Sequence, residues 1–193
     1  MAYADYRNDL LAAAFDANRM LDRYFHSGQS VAFLGAHPEA EPAFKTDLAR
    51  RLYGSLQVQL HPLQLILCGS AHLGFSPVPD KLGKAFDSRS SDIDVAVVSA
   101  DLFDDWWSEL QASDILPSVL KRVSEDLFWG FINPANVNNV SDIGRKWWRL
   151  FGEIKTERAS GVRGRVYRNF WSMQSYHMHA INEARKTLLN QRV

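Results

Sequence analysis

The sequence predicts an α/β (α+β) chain, a small mixed β-sheet with helices flanking it at both ends, and three observations carry that reading. Two short runs, Leu63–Cys68 and Asp92–Val98, have the length and the apolar or β-branched content of buried strands. Most of the rest of the chain repeats its apolar residues at three- and four-residue intervals, the spacing of helices with one buried face. A third strand candidate, Val162–Arg168, follows a series of such helices.

The elements read in order as follows. Leu10, Leu11, Ala14, Phe15, Leu21, Tyr24 and Phe25 place one amphipathic helix over about residues 4–26, ended by His26-Ser27-Gly28. Phe44, Leu48, Leu52 and Leu56 share a face of a second helix near 42–56, and Pro62 blocks its continuation. The run from Leu63 ends at Gly69-Ser70, the pattern of a buried strand meeting a turn. From Phe75 to Ser91 the prolines, glycine and small polar residues describe a long loop, a kind of segment that is often functional in a compact domain. Asp92–Val98 is the second strand, closed by Ser99 and Asp101. Helices over 101–112, 115–129 and 141–155 follow, with the Asn-rich stretch 133–139 breaking the last two apart. After the strand at 162–168 a final helix runs from about Trp171 to Leu189, with Tyr176, Ile181, Ala184 and Leu188 inward.

At 193 residues the chain suits a single domain over 1–193: an N-terminal helical addition over about 1–56, a core at 58–100 joined by strand 162–168, and helices over 101–155 and 171–189. The 46% hydrophobic and 23% charged content is that of an ordinary globular protein and indicates neither a disordered tail nor a coiled coil. Twenty-two basic residues balance twenty-two acidic ones, which removes a global electrostatic argument for nucleic acid or an anionic membrane while leaving room for a local basic patch. Cys68 is the sole cysteine, so no disulfide framework is expected and a reducing cytoplasm is the expected location. Asp5, Asp9, Asp16 and Asp22 interrupt the first thirty residues, and no run reaches about eighteen apolar residues, so neither a signal peptide nor a membrane span is expected.

The candidate chemistry sits where the first two strands meet. Residues two apart on a strand point to one face, so Asp92 and Asp94 project together while Ile93 and Val95 enter the core. Two carboxylates so placed repel unless water or a hard cation such as Mg²⁺ (or Mn²⁺) screens them, and such a cation would bridge to phosphate oxygens. Gly69 lets a backbone approach a phosphate, and the Ser70 hydroxyl can donate to it.

In these residues the chain resembles the DNA polymerase β-like nucleotidyltransferases, in the manner of a small standalone bacterial-type member. The family's core pattern is an apolar strand, Gly-Ser, then Asp-apolar-Asp on the next strand, which Leu65–Ser70 and Ser91–Val97 match. The resemblance covers roughly residues 58–100 and implies a nucleotidyltransferase core. It gives Asp92 and Asp94 to the metals as catalytic residues and gives Gly69, Ser70 and Ser91 to a nucleoside triphosphate such as ATP. The implied reaction transfers a nucleoside monophosphate to a hydroxyl of a protein, nucleic acid or small molecule, releasing pyrophosphate. Small members of this superfamily often work in bacterial toxin–antitoxin or phage-defence systems, which implies a possible protein partner.

Two departures stand beside the match. The interval between Ser70 and Asp92 is longer than usual and inserts Lys81, Lys84 and Arg89, cations able to meet phosphate. The family's third carboxylate on a later strand is not found: Arg163 and Arg165 occupy strand 162–168, and the nearest acids, Glu153 and Glu157, precede it. Arg163, Arg165 and Tyr167 share one face of that strand; turned toward the aspartates, Arg165 would pair with one of them or with phosphate. Turned away, it would leave room for Glu153 or Glu157. The residues thus leave two readings open, an active transferase and a catalytically degenerate domain that binds nucleotide or a partner. His72, just after Gly69-Ser70, is a further candidate for phosphate or acceptor. His177 and His179 stand about 200° apart on a helix and are not expected to share a metal. Trp106, Trp107, Trp129, Trp147, Trp148 and Trp171 are expected to pack helices against the core.

Overall fold

The computed structural model describes residues 2–12, 14–137 and 139–191. The N-terminal helical region is two helices, α1 (Tyr3–Leu11) and α2 (Ala17–Tyr24), rather than one over 4–26. Asp16 accounts for the restart: its carboxylate accepts the Arg19 amide at 2.9 Å, an N-cap that begins a new helix where apolar spacing alone suggested continuity. Ala13, inside the expected helix, lies outside the described residues, as does Asn138 of the Asn-rich stretch. Helix α3 spans Ala40–Leu56 and ends at Gln57 in a left-handed conformation.

The first strand is shorter than the apolar run. Pro62–Gln64 form a 3₁₀ turn because the His61 ring accepts the Leu63 amide while the Gln64 side chain accepts the His61 amide. Strand β1 is therefore Leu65–Cys68, and the turn expected at Gly69-Ser70 opens a short helix, α4 (Gly69–Leu73). The loop up to Ser91 folds back on itself, with the Phe86 amide on the Gly74 carbonyl and the Ser76 amide on the Lys84 carbonyl. Strand β2 (Asp92–Val98) has the bounds its sequence suggested, and the Ser99 hydroxyl then caps α5 (Ala100–Ala112) by accepting the Leu102 amide. Helix α6 (Pro117–Phe128) follows. The break expected at the Asn-rich stretch holds a two-residue strand, β3 (Phe131–Ile132), and a short α7 (Pro134–Val137). Helix α8 (Asp142–Glu153), β4 (Gly161–Tyr167) and α9 (Phe170–Asn190) complete the order.

The four strands form one mixed sheet in the order β1-β2-β4-β3. β1 runs antiparallel to β2, β4 parallel to β2, and β3 antiparallel to β4. One face is wholly apolar: Leu65, Leu67, Ile93, Val95, Val97, Val162 and Val166 are buried against α3, α5 and α8. Each such side chain contributes about 1.5–3 kcal/mol on burial, so this face supplies much of the driving force for folding. Gly164 interrupts the strand for a reason of contact, since a Cβ there would lie 2.6 Å from the Trp147 ring. Trp147 itself stacks on Phe151 with ring centroids 4.6 Å apart. On the opposite face Ala96, Val98, Tyr167 and Phe131 pack under Met173 at the start of α9. The far half of α9 buries Ile181, Ala184 and Leu188 against α1 and α2.

Of the tryptophans, Trp106 and Trp147 are buried as expected, whereas Trp148 and Trp171 are 56% and 73% exposed and pack no core. The reason is angular: Trp148 follows Trp147 on the same helix, and one residue of helix turns the side chain by about 100°. Among the described residues no helix is long and apolar enough to cross a membrane.

His177 on α9 lies against the Phe25 ring at 5.1 Å, and burial brings its pKa down to about 4, with the nearby His26 and Arg165 acting in the same sense. The folded ring stays neutral where the unfolded one takes a proton, so the stability it contributes is whole above the ordinary histidine pKa and is lost as pH falls toward 4. Replacing His177→Phe is expected to flatten the fall in stability between pH 7 and 4 by on the order of 2 kcal/mol, read from denaturant midpoints across that range. An unchanged slope would assign the acid sensitivity to other groups.

Candidate functional site

The site is built by the pairing of β2 with β4. Their parallel register sets Asp92 beside Gly161, Asp94 beside Arg163 and Ala96 beside Arg165. Partners opposite one another in a ladder share a face, so two acids and two arginines emerge on the same side of the sheet. On the other flank Cys68 stands opposite Asp94. The apolar half of this face is closed over by α9, and the polar half lies at the β2 start, where Gly161 leaves space: a Cβ there would stand 3.1 Å from Asp92 Oδ1.

Asp94 is mostly enclosed, and no hydrogen bond or ion pair reaches its carboxylate among the described residues. Burial holds its pKa above the ordinary carboxylate value, opposed by Arg165, reinforced by Asp92 and opposed again by Arg163. The carboxylate lies over Gly69, where φ is +65° and a Cβ would come 2.7 Å from Asp94 Oδ2. Glycine is thus required twice, for the left-handed backbone that turns β1 into α4 and for the space the aspartate takes. Burial, reinforced by the Asp94 carboxylate, pushes the Cys68 thiol up to about 12.

Asp92 is differently placed. Its Oδ1 accepts the Ser160 hydroxyl at 2.9 Å, and its Oδ2 meets Arg163 Nε at 2.6 Å. Arg165 turns toward aromatic rings: Nη1 donates to the Tyr176 hydroxyl at 3.0 Å, and the guanidinium lies over Phe131 and Tyr176 at 5.6 and 5.7 Å. Of the two orientations the sequence left open for the basic side of β4, the structure has the one that shares a face with the aspartates, with Arg163 rather than Arg165 making the ion pair. Arg165 also acts on Asp126 of α6, a carboxylate that accepts the Asn136 amide at 2.7 Å and whose pKa is nonetheless raised by burial.

Asp92 and Asp94 are the carboxylates of this face, and both oxygens of Asp92 are already engaged by Ser160 and Arg163. Mg²⁺ is commonly held by one or two carboxylates with phosphates and water completing its shell, which Asp92 and Asp94 could provide together with a phosphorylated ligand. Among the described residues no group of three His, Cys, Asp or Glu side chains converges as a metal cluster would require. Glu153 and Glu157 are exposed.

The other candidates lie as follows. Ser70 follows Gly69 at the start of α4, and its hydroxyl makes no hydrogen bond among the described residues. Ser91 clasps the long loop: its hydroxyl accepts the Asp87 amide at 3.2 Å and its carbonyl accepts the Ser160 amide at 2.9 Å. His72 is buried, with Nδ1 3.0 Å from the Ser30 hydroxyl, and burial lowers its pKa; two residues past Ser70, about 200° around the helix, it turns into the core. Lys81 and Lys84 are exposed at the loop tip beside Tyr3, Leu188 and Gln191. His179 stacks on Trp129 at 4.6 Å while His177 faces Phe25, so the two histidines diverge. Ser160 was not legible as a site residue, and Arg163 was legible only as a neighbour of Arg165 on one face of β4, because the β2–β4 register is what brings both to Asp92. No family model, curated protein or solved structure matches the chain.

Two substitutions test the packing of the site. Removing the enclosed charge with Asp94→Asn is expected to stabilise the metal-free protein by about 1 kcal/mol, roughly 3 °C in Tm for a chain of this size. A lower Tm would mean that Asp94 has a compensating partner. Gly69→Ala is expected to cost about 2–3 kcal/mol in the parent, yet roughly 1 kcal/mol in an Asp94→Ala background, where only the backbone penalty persists. Equal costs in both backgrounds would separate Gly69 from the aspartate.

Proposed function

We propose that this chain is a nucleotide-binding domain of the nucleotidyltransferase type that holds a nucleoside triphosphate with a single Mg²⁺ (or Mn²⁺) and does not transfer the nucleotide. One observation carries the reading: the face that bears Asp92 and Asp94 receives two guanidinium groups, Arg163 and Arg165, from the paired strand, where a third carboxylate would be needed for transfer. A bound cation would neutralise phosphate charge between Asp92 and Asp94. Arg163 can bind phosphate oxygens in a fork. A guanidinium does not accept a proton at neutral pH, so neither arginine can serve as the base that activates an acceptor hydroxyl. Binding is thereby favoured over turnover.

Mg²⁺ with ATP, and in parallel with GTP, CTP and UTP, is expected to raise Tm, since saturation at 100 times Kd stabilises by about 2.7 kcal/mol. The metal-dependent part of that shift should vanish in Asp92→Ala/Asp94→Ala, and labelled nucleotide should not pass to added acceptors. If the double variant responds as the parent does, the site is elsewhere. Rapid metal-dependent release of pyrophosphate, lost on Asp94→Ala, would instead establish an active transferase.

A further inference from the structure

Resting on that reading, we infer that Arg163 is a phosphate-binding residue held in reserve on Asp92, so that the site accepts its cation together with a triphosphate and resists the cation alone. Three observations support the assignment. Arg163 Nε occupies Asp92 Oδ2 at 2.6 Å, while Ser160 occupies Oδ1, so both oxygens that would face a cation are engaged. Asp94, the other carboxylate, has neither a hydrogen bond nor an ion pair among the described residues, so the pair is asymmetric, with Asp92 engaged by two partners and Asp94 enclosed but unpartnered. Arg163 is 76% exposed, and its ion pair with Asp92 is the single polar contact its side chain makes among the described residues.

Those facts set the energetics. A cation entering alone must displace a guanidinium from Asp92 and leave that guanidinium close by, a double loss that lowers the affinity for metal. A triphosphate offers Arg163 a second anion with the same forked geometry, and an exposed, flexible side chain can turn to it at little cost. Once it has turned, Asp92 is open to the metal. Each ligand thus removes the obstacle to the other, and their affinities must be coupled reciprocally. Arg165, held by Tyr176 and packed on Phe131, lacks that freedom and supplies fixed positive charge. Ligands without a phosphate chain give Arg163 no alternative partner, so Arg163 selects for the triphosphate and not for the base.

The test uses Mn²⁺ alone, followed by electron paramagnetic resonance, and ATP in EDTA, followed by calorimetry, on the parent, Arg163→Gln and Arg145→Gln. Arg145 is 57% exposed, pairs with Asp142 and belongs to α8, which packs on the apolar face of the sheet, so its substitution makes the same charge change without touching the aspartates. Arg163→Gln is expected to bind Mn²⁺ at least about tenfold more tightly than the parent and metal-free ATP about tenfold more weakly, roughly 1.4 kcal/mol in each direction. Arg145→Gln should change either affinity by less than about twofold. If Arg163→Gln binds Mn²⁺ no better than the parent, or retains the parent's affinity for ATP, the inference is overturned while nucleotide binding stands. Equal crossed changes in Arg145→Gln would reduce the effect to a general field and overturn it as well. If neither the parent nor Arg163→Gln binds Mn²⁺, ATP or the two together, the nucleotide-binding reading itself fails.

Discussion

The parallel pairing of β2 with β4 is the constraint on which the rest of the molecule depends. Its register turns Ile93, Val95 and Val97 with Val162 and Val166 into a continuous apolar face, and the same register sends Asp92 and Asp94 out beside Arg163 and Arg165. Core and site are therefore two sides of one ladder. Slipping β4 by one residue against β2 would turn Arg163 and Arg165 into the core and Val162 and Val166 out of it, so the buried face enforces the arrangement of the charged one.

Along the charged face the environment changes within a few residues. At Ala96 and Val98 the sheet is covered by α9, whereas two to four residues earlier on β2 it carries acids. A strand that is core at one end and polar at the other places its charges at the margin of a low-dielectric region, which is why Asp94 is disfavoured in its ionised form while Asp92, paired with Arg163, is compensated. The glycines follow from the same geometry. Gly69 yields to the Asp94 carboxylate on the site side, and Gly164 yields to the Trp147 and Phe151 rings on the core side. Each marks a place where the sheet backbone is approached so closely that a methyl group would not fit.

Much of the fold was legible because its signals are local. The β-branched run from Asp92 to Val98 gave a strand with the right bounds, and alternation along it told which residues face inward. Helices α5, α8 and α9 followed from apolar spacing to within two residues at each end. The misreadings have local causes that competed with periodicity: the Asp16 cap divided one expected helix into two, and the His61–Gln64 box turned the start of an apolar run into a 3₁₀ turn. β3 was hidden because two residues carry no periodicity, and Phe131 and Ile132 are held as a strand solely by their pairing with Tyr167 and Val166. Trp148 and Trp171 misled because bulk apolar content says nothing of which way a helix face turns.

The candidate site divides along the same line. The sequence by itself determined that Asp92 and Asp94 share a face and that Gly69-Ser70 closes an adjacent run, since alternation in a strand and the punctuation by glycine are properties of a few consecutive residues. It also determined that Arg163, Arg165 and Tyr167 share a face, while leaving open which way that face turns. The tertiary structure decided that the basic face turns toward the acids, that Ser160 and Arg163 both hold Asp92, that Arg165 turns to Tyr176, and that the His72 ring meets Ser30 and the Ser91 hydroxyl the Asp87 amide. Those outcomes depend on which strand lies beside which and in what register, about seventy residues apart along the chain, and such a pairing is fixed by the burial of the whole sheet rather than by any segment of it.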